Sequence, residues 1–372
     1  MNNKPKVGIL TRPIDQGTSG SGSHLKQLLE KVIELNNNRN LFNISLIHYK
    51  KNDKDIYNNA DEVIISRNPI KSSYELKKYD FDIIHYSPLT IFSPLFFHNS
   101  KKVATLHGSA PIFIPEQYSK IKVLHEKHFK PLYARKMDYI FTVSEKSKEF
   151  LIDYYKIDPK RIKITYNAVK SIFQKKNDIS LDVLEKFKIK EPFIFHLSKF
   201  SQRKNPWTIL ESFKVLKKEK CEMKLVLAGK GWENSEVISF AKKNNIYDDI
   251  IFPGFIKREE IVDLLNLATV FVFPSFYEGC GMPNLEAMAC GCPVITSNSF
   301  AIPEMVGDAA LILDNKTDAN ELAIKIKEVN SNRDLRNKLI ERGLKRADDF
   351  SWEKSAELVL ETYIKLTSEE VV

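Results

Sequence analysis

Short apolar runs rich in β-branched residues recur along the whole chain, separated by polar or amphipathic stretches. This alternation leaves few folds open. Residues 6–10 (KVGIL), 42–49 (FNISLIHY), 61–66 (DEVIIS), 81–87 (FDIIHYS), 102–108 (KVATLHG) and 139–144 (YIFTVS) read as buried or half-buried strands. Residues 24–35 (HLKQLLEKVIEL) place apolar side chains at helical spacing. The pattern restarts in the second half, with strands predicted at 193–198, 223–229, 250–255, 269–275, 293–297 and 310–314 and helices at 206–219 and 258–268. Strands alternating with helices build an open parallel sheet covered on both faces. At 372 residues the chain suits two such sheets rather than one core. The predicted class is α/β, with two doubly wound Rossmann-like domains and ligands beyond the carboxyl ends of the strands. Residues 169–192 have little strand pattern and form the predicted connector, while 351–366 read as a final helix.

Several classes are excluded early. No window of about 18 uncharged apolar residues occurs, so no transmembrane helix is predicted. The start, MNNKPKVGIL, has no secretory pattern, and a cytoplasmic chain is expected. Four cysteines are too few for a disulfide scaffold. Cys280, Cys290 and Cys292 cluster, but C-x-C across a helix end is a poor zinc spacing, and packing is the better reading. The net charge of +9 is uneven. Residues 1–190 hold 33 Lys and Arg against 20 Asp and Glu, and the remainder 24 against 28. Two readings stand open: solvated lysines, or a first half that meets an anionic lipid surface or acidic acceptor. No nucleic-acid partner is expected.

After the first strand comes QGTSGSGSHL, residues 16–25. It is not a dinucleotide fingerprint, because Leu25 stands where the third glycine belongs, and no Gly-Lys-Ser/Thr makes it a P-loop. A flexible loop of small residues remains, opening a helix and able to bring backbone N–H groups to a phosphate. A solvated surface loop is the alternative.

The most informative stretch is FVFPSFYEGCGMPNLEAMACGCPVIT, residues 271–296. A buried strand leads to Glu278 at its carboxyl end. Gly279 and Gly281 allow conformations other residues resist and expose N–H groups. Pro283 suits the first turn of a helix, Gly291 suits its left-handed end, and Glu286 is expected in its first turn. Carboxylates repel phosphate but accept two hydrogen bonds from a vicinal diol. A nucleotide sugar matches both halves: diphosphate for the amides, ribose and hexose hydroxyls for the glutamates. The plainer alternative is one glutamate complementing the helix dipole and another in water.

A second constellation, HLSKFSQRKNP (196–206), concentrates Lys199, Arg203 and Lys204 after a strand, where cations stabilise a departing diphosphate. A solvated basic turn is the alternative. A third, TLHGSAP (105–111), offers His107 as a donor to a substrate hydroxyl; a packed histidine reads equally well, and His85 is a weaker candidate. Asp80-Phe81-Asp82 precedes its strand, so it is read as structural and no metal is predicted.

Together these residues resemble the retaining, nucleotide-sugar-dependent glycosyltransferases of the GT-B fold, family 4 (group 1). The resemblance covers nearly the whole chain and is strongest in EGCGMPNLEAMACGCPV, which matches the family's Glu-x7-Glu motif. It implies two Rossmann-like domains facing across a cleft: residues 1–170 for the acceptor, with a returning C-terminal helix at 353–372, and 171–352 for the donor. It implies catalytic roles for His107, Lys199, Lys204 and Glu278. It places Gly22, Gly108, Arg203, Phe255, Cys280, Gly281, Met282, Pro283, Asn284, Leu285 and Glu286 around the donor, with Glu286 on the ribose. Lys199 stands where the family has arginine, Asn205 where it has glycine, and Cys280 where it often has phenylalanine. The implied reaction moves a hexose (mannose, glucose or N-acetylhexosamine) to a glycan or lipid-linked acceptor, without cofactor or metal, in polysaccharide or glycolipid synthesis. A sugar-nucleotide epimerase or hydrolase and a non-catalytic donor-binding subunit are the alternatives. Residues 116–136 mix aromatics and lysines at helical spacing, which suits either a sheet cover or peripheral contact with an anionic membrane.

Overall fold

The computed structural model describes residues 4–15, 20–51, 54–90 and 93–368. The chain divides into two units, Met1–Asn167 with Ser351–Val372, and Ala168–Phe350.

The first unit is a seven-stranded parallel sheet of β1 (Lys6–Leu10), β2 (Asn43–His48), β3 (Asp61–Ile64), β4 (Ile83–Tyr86), β5 (Lys101–Thr105), β6 (Tyr139–Thr142) and β7 (Ile162–Ile164). Their order is β3-β2-β1-β4-β5-β6-β7, so the winding reverses between β1 and β4. β7 escapes the sequence pattern because it is a three-residue edge strand. The core joins Val7, Ile9, Leu25, Leu28, Val32 and Leu46 to Val359, Leu360 and Tyr363 of the C-terminal helix Trp352–Ser368. That helix therefore belongs to the first unit's core, although 183 residues of the other unit precede it in the chain. His85, fully buried in β4, bonds Tyr363 Oη through Nδ1 at 2.7 Å and Thr105 Oγ1 through Nε2 at 2.8 Å. It is a satisfied core histidine that ties helix to sheet, not a substrate donor. Asp82 also acts structurally, its Oδ2 accepting the Lys6 N–H at 2.7 Å.

The glycine-rich stretch differs from expectation. Residues 16–19 lie outside the described residues. Gly20 and Gly22 are not loop but the start of the helix Gly20–Arg39, with Gly22 buried. Glycine's poor helix propensity, about 1 kcal/mol, is overridden by the burial of Leu25, Leu28, Leu29 and Val32 along one face.

The second unit is a six-stranded parallel sheet of β8 (Phe193–Leu197), β9 (Lys224–Ala228), β10 (Ile250–Gly254), β11 (Val270–Phe273), β12 (Val294–Ser297) and β13 (Leu311–Leu313). Its order, β10-β9-β8-β11-β12-β13, reverses between β8 and β11. Open sheets of this kind bind ligands beyond the carboxyl ends of the strands at such a reversal. Among the described residues, no helix is long and apolar enough to cross a membrane.

Candidate functional site

In the second unit, the loops that leave β8 and β11 flank the reversal point, and they meet through charge. Glu278 Oε1 accepts from Arg203 Nη1 at 2.5 Å, Lys204 Nζ at 2.6 Å and Ser275 Oγ at 2.7 Å. Lys204 and Glu278 keep only 12% side-chain exposure, and the Lys204 ammonium lies 4.5 Å from the centroid of Phe273. Burial lowers the Lys204 pKa, and Glu278 partly offsets it. Burial also pushes against the charged form of Glu278, but Lys204 and Arg203 outweigh it and hold the carboxyl below its ordinary value. Glu278 is thus no loop carboxylate in water. It is an ionised group buried against two cations, the arrangement a buried charge requires.

The backbone fixes these side chains. Arg203 also donates to the Tyr277 carbonyl, while its own carbonyl accepts from the Phe276 N–H. Asn205 adopts a left-handed conformation (φ 57°) before the helix Pro206–Lys218 and donates to the Pro274 carbonyl at 3.0 Å. Asparagine tolerates that conformation, so it can stand where the related motif has glycine. Gly229 (φ +114°) lies so close to the first loop that a Cβ would sit 2.0 Å from the Ser198 carbonyl oxygen. His196 donates from Nδ1 to the Val272 carbonyl, so Nε2 accepts from Ser198 Oγ. Burial holds its pKa near 4, making it a neutral prop beneath the loop. Lys199 is exposed on the same loop.

The helix Met282–Ala289 starts after Gly281, whose φ of +75° makes it the N-cap. Pro283 falls in the first turn as expected. Glu286 does not: counting from Met282, it opens the second turn. Gly291 (φ +72°) ends the helix, with the Cys292 N–H bonded to the Ala287 carbonyl and the Gly291 N–H to the Met288 carbonyl, a Schellman motif. Burial raises the Glu286 pKa to about 7, against the pull of Lys170 and Arg258. Leu285 is a core residue with no exposure. Asn284 is equally buried, and neither Oδ1 nor Nδ2 has a protein partner. Cys280 is nearly buried, its Sγ 3.6 Å from Met282 Sδ. Cys290 and Cys292 are buried free thiols with raised pKa values, chiefly from burial. At the end of β10, Phe255 is 75% exposed with the Lys230 ammonium 5.4 Å from its ring centroid.

In the first unit, His107 and Gly108 (φ +82°) follow β5. The His107 ring meets His24 edge-on at 4.6 Å between centroids, and its buried Nε2 has no partner. Burial and Lys130 lower its pKa to about 4, so the imidazole is neutral. His24, in the helix that starts at Gly20, bonds Asn167 Oδ1 through Nδ1 at 2.9 Å. Behind the loop, Ser109 Oγ donates to buried Glu126 Oε2 at 2.7 Å, and Lys130 Nζ donates to the same oxygen at 2.9 Å. Glu126 lies in a π-helical turn, His125–Phe129, closed by the Lys130 N–H on the His125 carbonyl. Sequence reasoning missed His24, Glu126, His196 and Ser275. Of these, His24, His196 and Ser275 lie inside stretches the sequence singles out, at 16–25, 196–206 and 271–296.

Two family profiles cover most of the chain: Glycosyl transferases group 1 over residues 180–346 and Glycosyltransferase Family 4 over residues 54–171. O-antigen chain mannosyltransferase B of Escherichia coli is 29% identical over 301 residues, 79% of this chain and 77% of its own. A glycosyltransferase from Rickettsia africae superposes with a TM-score of 0.77 at 17% identity, over 98% of this chain and 99% of that one. Anabaena HepE in complex with UDP-glucose superposes at 0.73 and 15% identity, over 97% and 99%. At such identities the structural likeness is one of fold.

Proposed function

Because this chain belongs to the group 1, family 4 glycosyltransferases and is a transferase on the GT-B fold, we propose that it moves a hexose from a nucleoside-diphosphate sugar, with retained configuration, to a glycan or lipid-linked acceptor in polysaccharide synthesis. The observation that carries this reading is the Arg203–Lys204–Glu278 cluster at the reversal point of the second sheet. Lys204 is a desolvated cation, Arg203 a half-buried one, and exposed Lys199 is a third. A diphosphate leaving group gains charge as its bond to the anomeric carbon breaks, and preorganised cations favour that charge. This reading asks for no metal, because these three side chains supply the positive charge.

Glu278 repels phosphate and so turns toward sugar hydroxyls, with Oε1 anchored by its cations. Glu286, in its ionised form, accepts the two hydroxyls of the ribose. Exposed Phe255 is the proposed platform near the base. In the first unit, neutral His107 is proposed as a partner of a substrate hydroxyl. Glu278 is held at three donors, so it is poorly placed to act as a free nucleophile. The step is therefore a front-face one: the acceptor oxygen bonds the anomeric carbon, the carbon–oxygen bond to diphosphate breaks, and the acceptor proton passes to the leaving phosphate.

Mannose is the first hexose to test, because the Escherichia coli relative is a mannosyltransferase; the HepE complex makes UDP-glucose the second donor. The acceptor is proposed to sit at the inner face of an anionic membrane. Thermal shift and nucleotide release measured with GDP-mannose, UDP-glucose and UDP-N-acetylglucosamine, with and without membrane extract, test the proposal. Acceptor-dependent release from one donor is expected. Release that ignores the extract would instead mark a hydrolase, conversion of the donor to its epimer without net release an epimerase, and donor binding with neither a decayed subunit.

A further inference from the structure

We infer that a polar cleft at the amino ends of β4 and β5, rimmed by exposed aromatic rings, holds a neutral oligosaccharide apart from the reacting centre. The inference deepens the proposed glycan acceptor, on which it rests for its purpose and not for its geometry. The cleft has a volume of about 530 Å³ and is lined by Lys77, Asp80, Asp82, His98, Asn99 and Ser100, with Phe97 at its edge. It takes in both carboxylates of Asp80-Phe81-Asp82, a motif that the proposed donor site leaves unused. His107 follows the other end of β5, so the cleft and His107 lie at opposite ends of one sheet.

The segments before the two strands build it. The helix Pro69–Lys77 is capped by the Asn68 side chain, which accepts from the Ile70 and Lys71 N–H groups. It presents Tyr74, 54% exposed, and ends in Lys77 at the cleft. Asp80 turns the chain toward β4 in a left-handed conformation (φ 51°). Asp82 is clamped through its main chain: its N–H donates to the Lys6 carbonyl at 3.0 Å, and its carbonyl accepts from the Lys101 N–H at 2.8 Å. Before β5, Phe97 is also left-handed (φ 63°). That backbone is an outlier for a bulky side chain. Burial does not account for it, because Phe97 is 50% exposed. Its ring instead stacks on Tyr74, with 4.3 Å between centroids and 15° between planes. Backbone outliers of this kind gather where a surface is shaped for a ligand.

The side chains in the wall select the occupant. Among the described residues, Lys77, Asp80 and Asn99 have no side-chain partner, and the Asp82 carboxylate engages only Oδ2. The wall therefore mixes acceptors, the carboxylate and amide oxygens, with donors, the amide and ammonium groups. A phosphate would meet two carboxylates. A divalent cation wants several oxygen ligands, and among the described residues no three of His, Cys, Asp or Glu gather to hold one. An acyl chain would meet charge. An uncharged polyol, whose hydroxyls both donate and accept, matches the wall. The rim matches it too: a pyranose ring carries C–H groups that pack on an aromatic face, and Tyr74 and Phe97 keep about half their surface in solvent at the cleft's edge. A sugar unit bound there is a sheet's length from His107 and takes no part in the transfer. It keeps a grown chain beside the enzyme and raises the local concentration of acceptor.

The test is calorimetric titration of the full chain with mannotetraose and cellotetraose, and separately with calcium chloride and inorganic phosphate. Two variants accompany it: Tyr74→Ala, and Asp80→Gly with Asn99→Ala. Wild type is expected to bind at least one tetrasaccharide and neither ion. Each variant is expected to weaken that binding about tenfold. Both variants keep the wild-type donor-induced thermal shift, since every substituted side chain is exposed and glycine suits the left-handed backbone at position 80. No tetrasaccharide binding by wild type, or binding that neither variant weakens, overturns the inference. So does calcium or phosphate binding that the Asp80→Gly, Asn99→Ala variant abolishes, which would make the cleft an ion site. A donor shift with GDP-mannose or UDP-glucose, read in the same samples, separates the two proposals: a donor shift without tetrasaccharide binding sinks the cleft alone, and tetrasaccharide binding without a donor shift sinks the transferase reading alone.

Discussion

Glu286 gives the sharpest test of how the donor is held. Burial lifts its carboxyl to about 7, with Lys170 and Arg258 opposing the shift. If the carboxylate accepts both ribose hydroxyls, only the ionised form binds the donor well. With a pKa of about 7, the ionised fraction falls from about nine-tenths at pH 8 to about one-tenth at pH 6. Donor affinity should fall about tenfold over that interval. The nearby histidine cannot mimic this, because burial holds His196 near 4. Calorimetric titration of the full chain with GDP-mannose or UDP-glucose, whichever binds, at pH 6, 7 and 8 measures the slope. The Glu286→Gln protein should bind weakly and with no slope over the same range. A wild-type affinity that is flat, or that rises toward pH 6, would falsify the ribose assignment.

Other consequences can be measured separately. Since the Glu286 pKa is raised in the folded state, its contribution to stability is full below the unfolded value of 4.5 and is lost as pH rises through about 7. Glu286→Gln should therefore gain in Tm relative to wild type between pH 5 and pH 8, while losing donor; a constant difference would show the carboxyl is not desolvated. Lys199→Ala should change stability by no more than about 0.5 kcal/mol, as expected of an exposed side chain, yet slow nucleotide release at least about tenfold. Unchanged turnover would remove Lys199 from the leaving-group site. Lys204→Met should abolish release and also lower Tm, because Glu278 loses the more buried of its two cations; a fully active variant would refute the cluster's role. Gly229→Ala should destabilise the second unit by about 2 kcal/mol or more by denaturant titration, since its Cβ meets the Ser198 carbonyl in a left-handed backbone.

The sheets were legible because parallel strands buried on both faces leave continuous apolar runs such as FVF at 271–273. An edge strand as short as Ile162–Ile164 leaves no such trace. The start of the helix at Gly20 was hidden for the opposite reason: local propensity argued for a loop, and burial of Leu25 and Leu28 decided otherwise. In the site, both charged constellations could be picked out separately, as could the glycine and proline that set the helix Met282–Ala289. Their union could not, because the Lys204–Glu278 contact joins positions 74 residues apart through two strand-end loops. The histidine pair His24–His107 is likewise a product of sheet order, which brings the segments after β1 and β5 together.

The π-helical turn His125–Phe129 also bears on how this chain aligns with others. A regular helix advances about 100° per residue, so Leu124 and Leu132, eight positions apart, would diverge by about 80°. A wide turn absorbs one residue, and the remaining seven complete nearly two turns, bringing both side chains to the same bearing. The extra residue therefore leaves the flanking helices, Lys120–Leu124 and Lys130–Ala134, in phase. A relative one residue shorter here would superpose on both sides of the gap, with the same outward stripe of half-exposed Leu124 and Leu132, and would lack only the swollen turn that carries Glu126 inward. Length variation confined to this point would thus separate two properties: the stripe is indifferent to it, and the brace behind Ser109 is not.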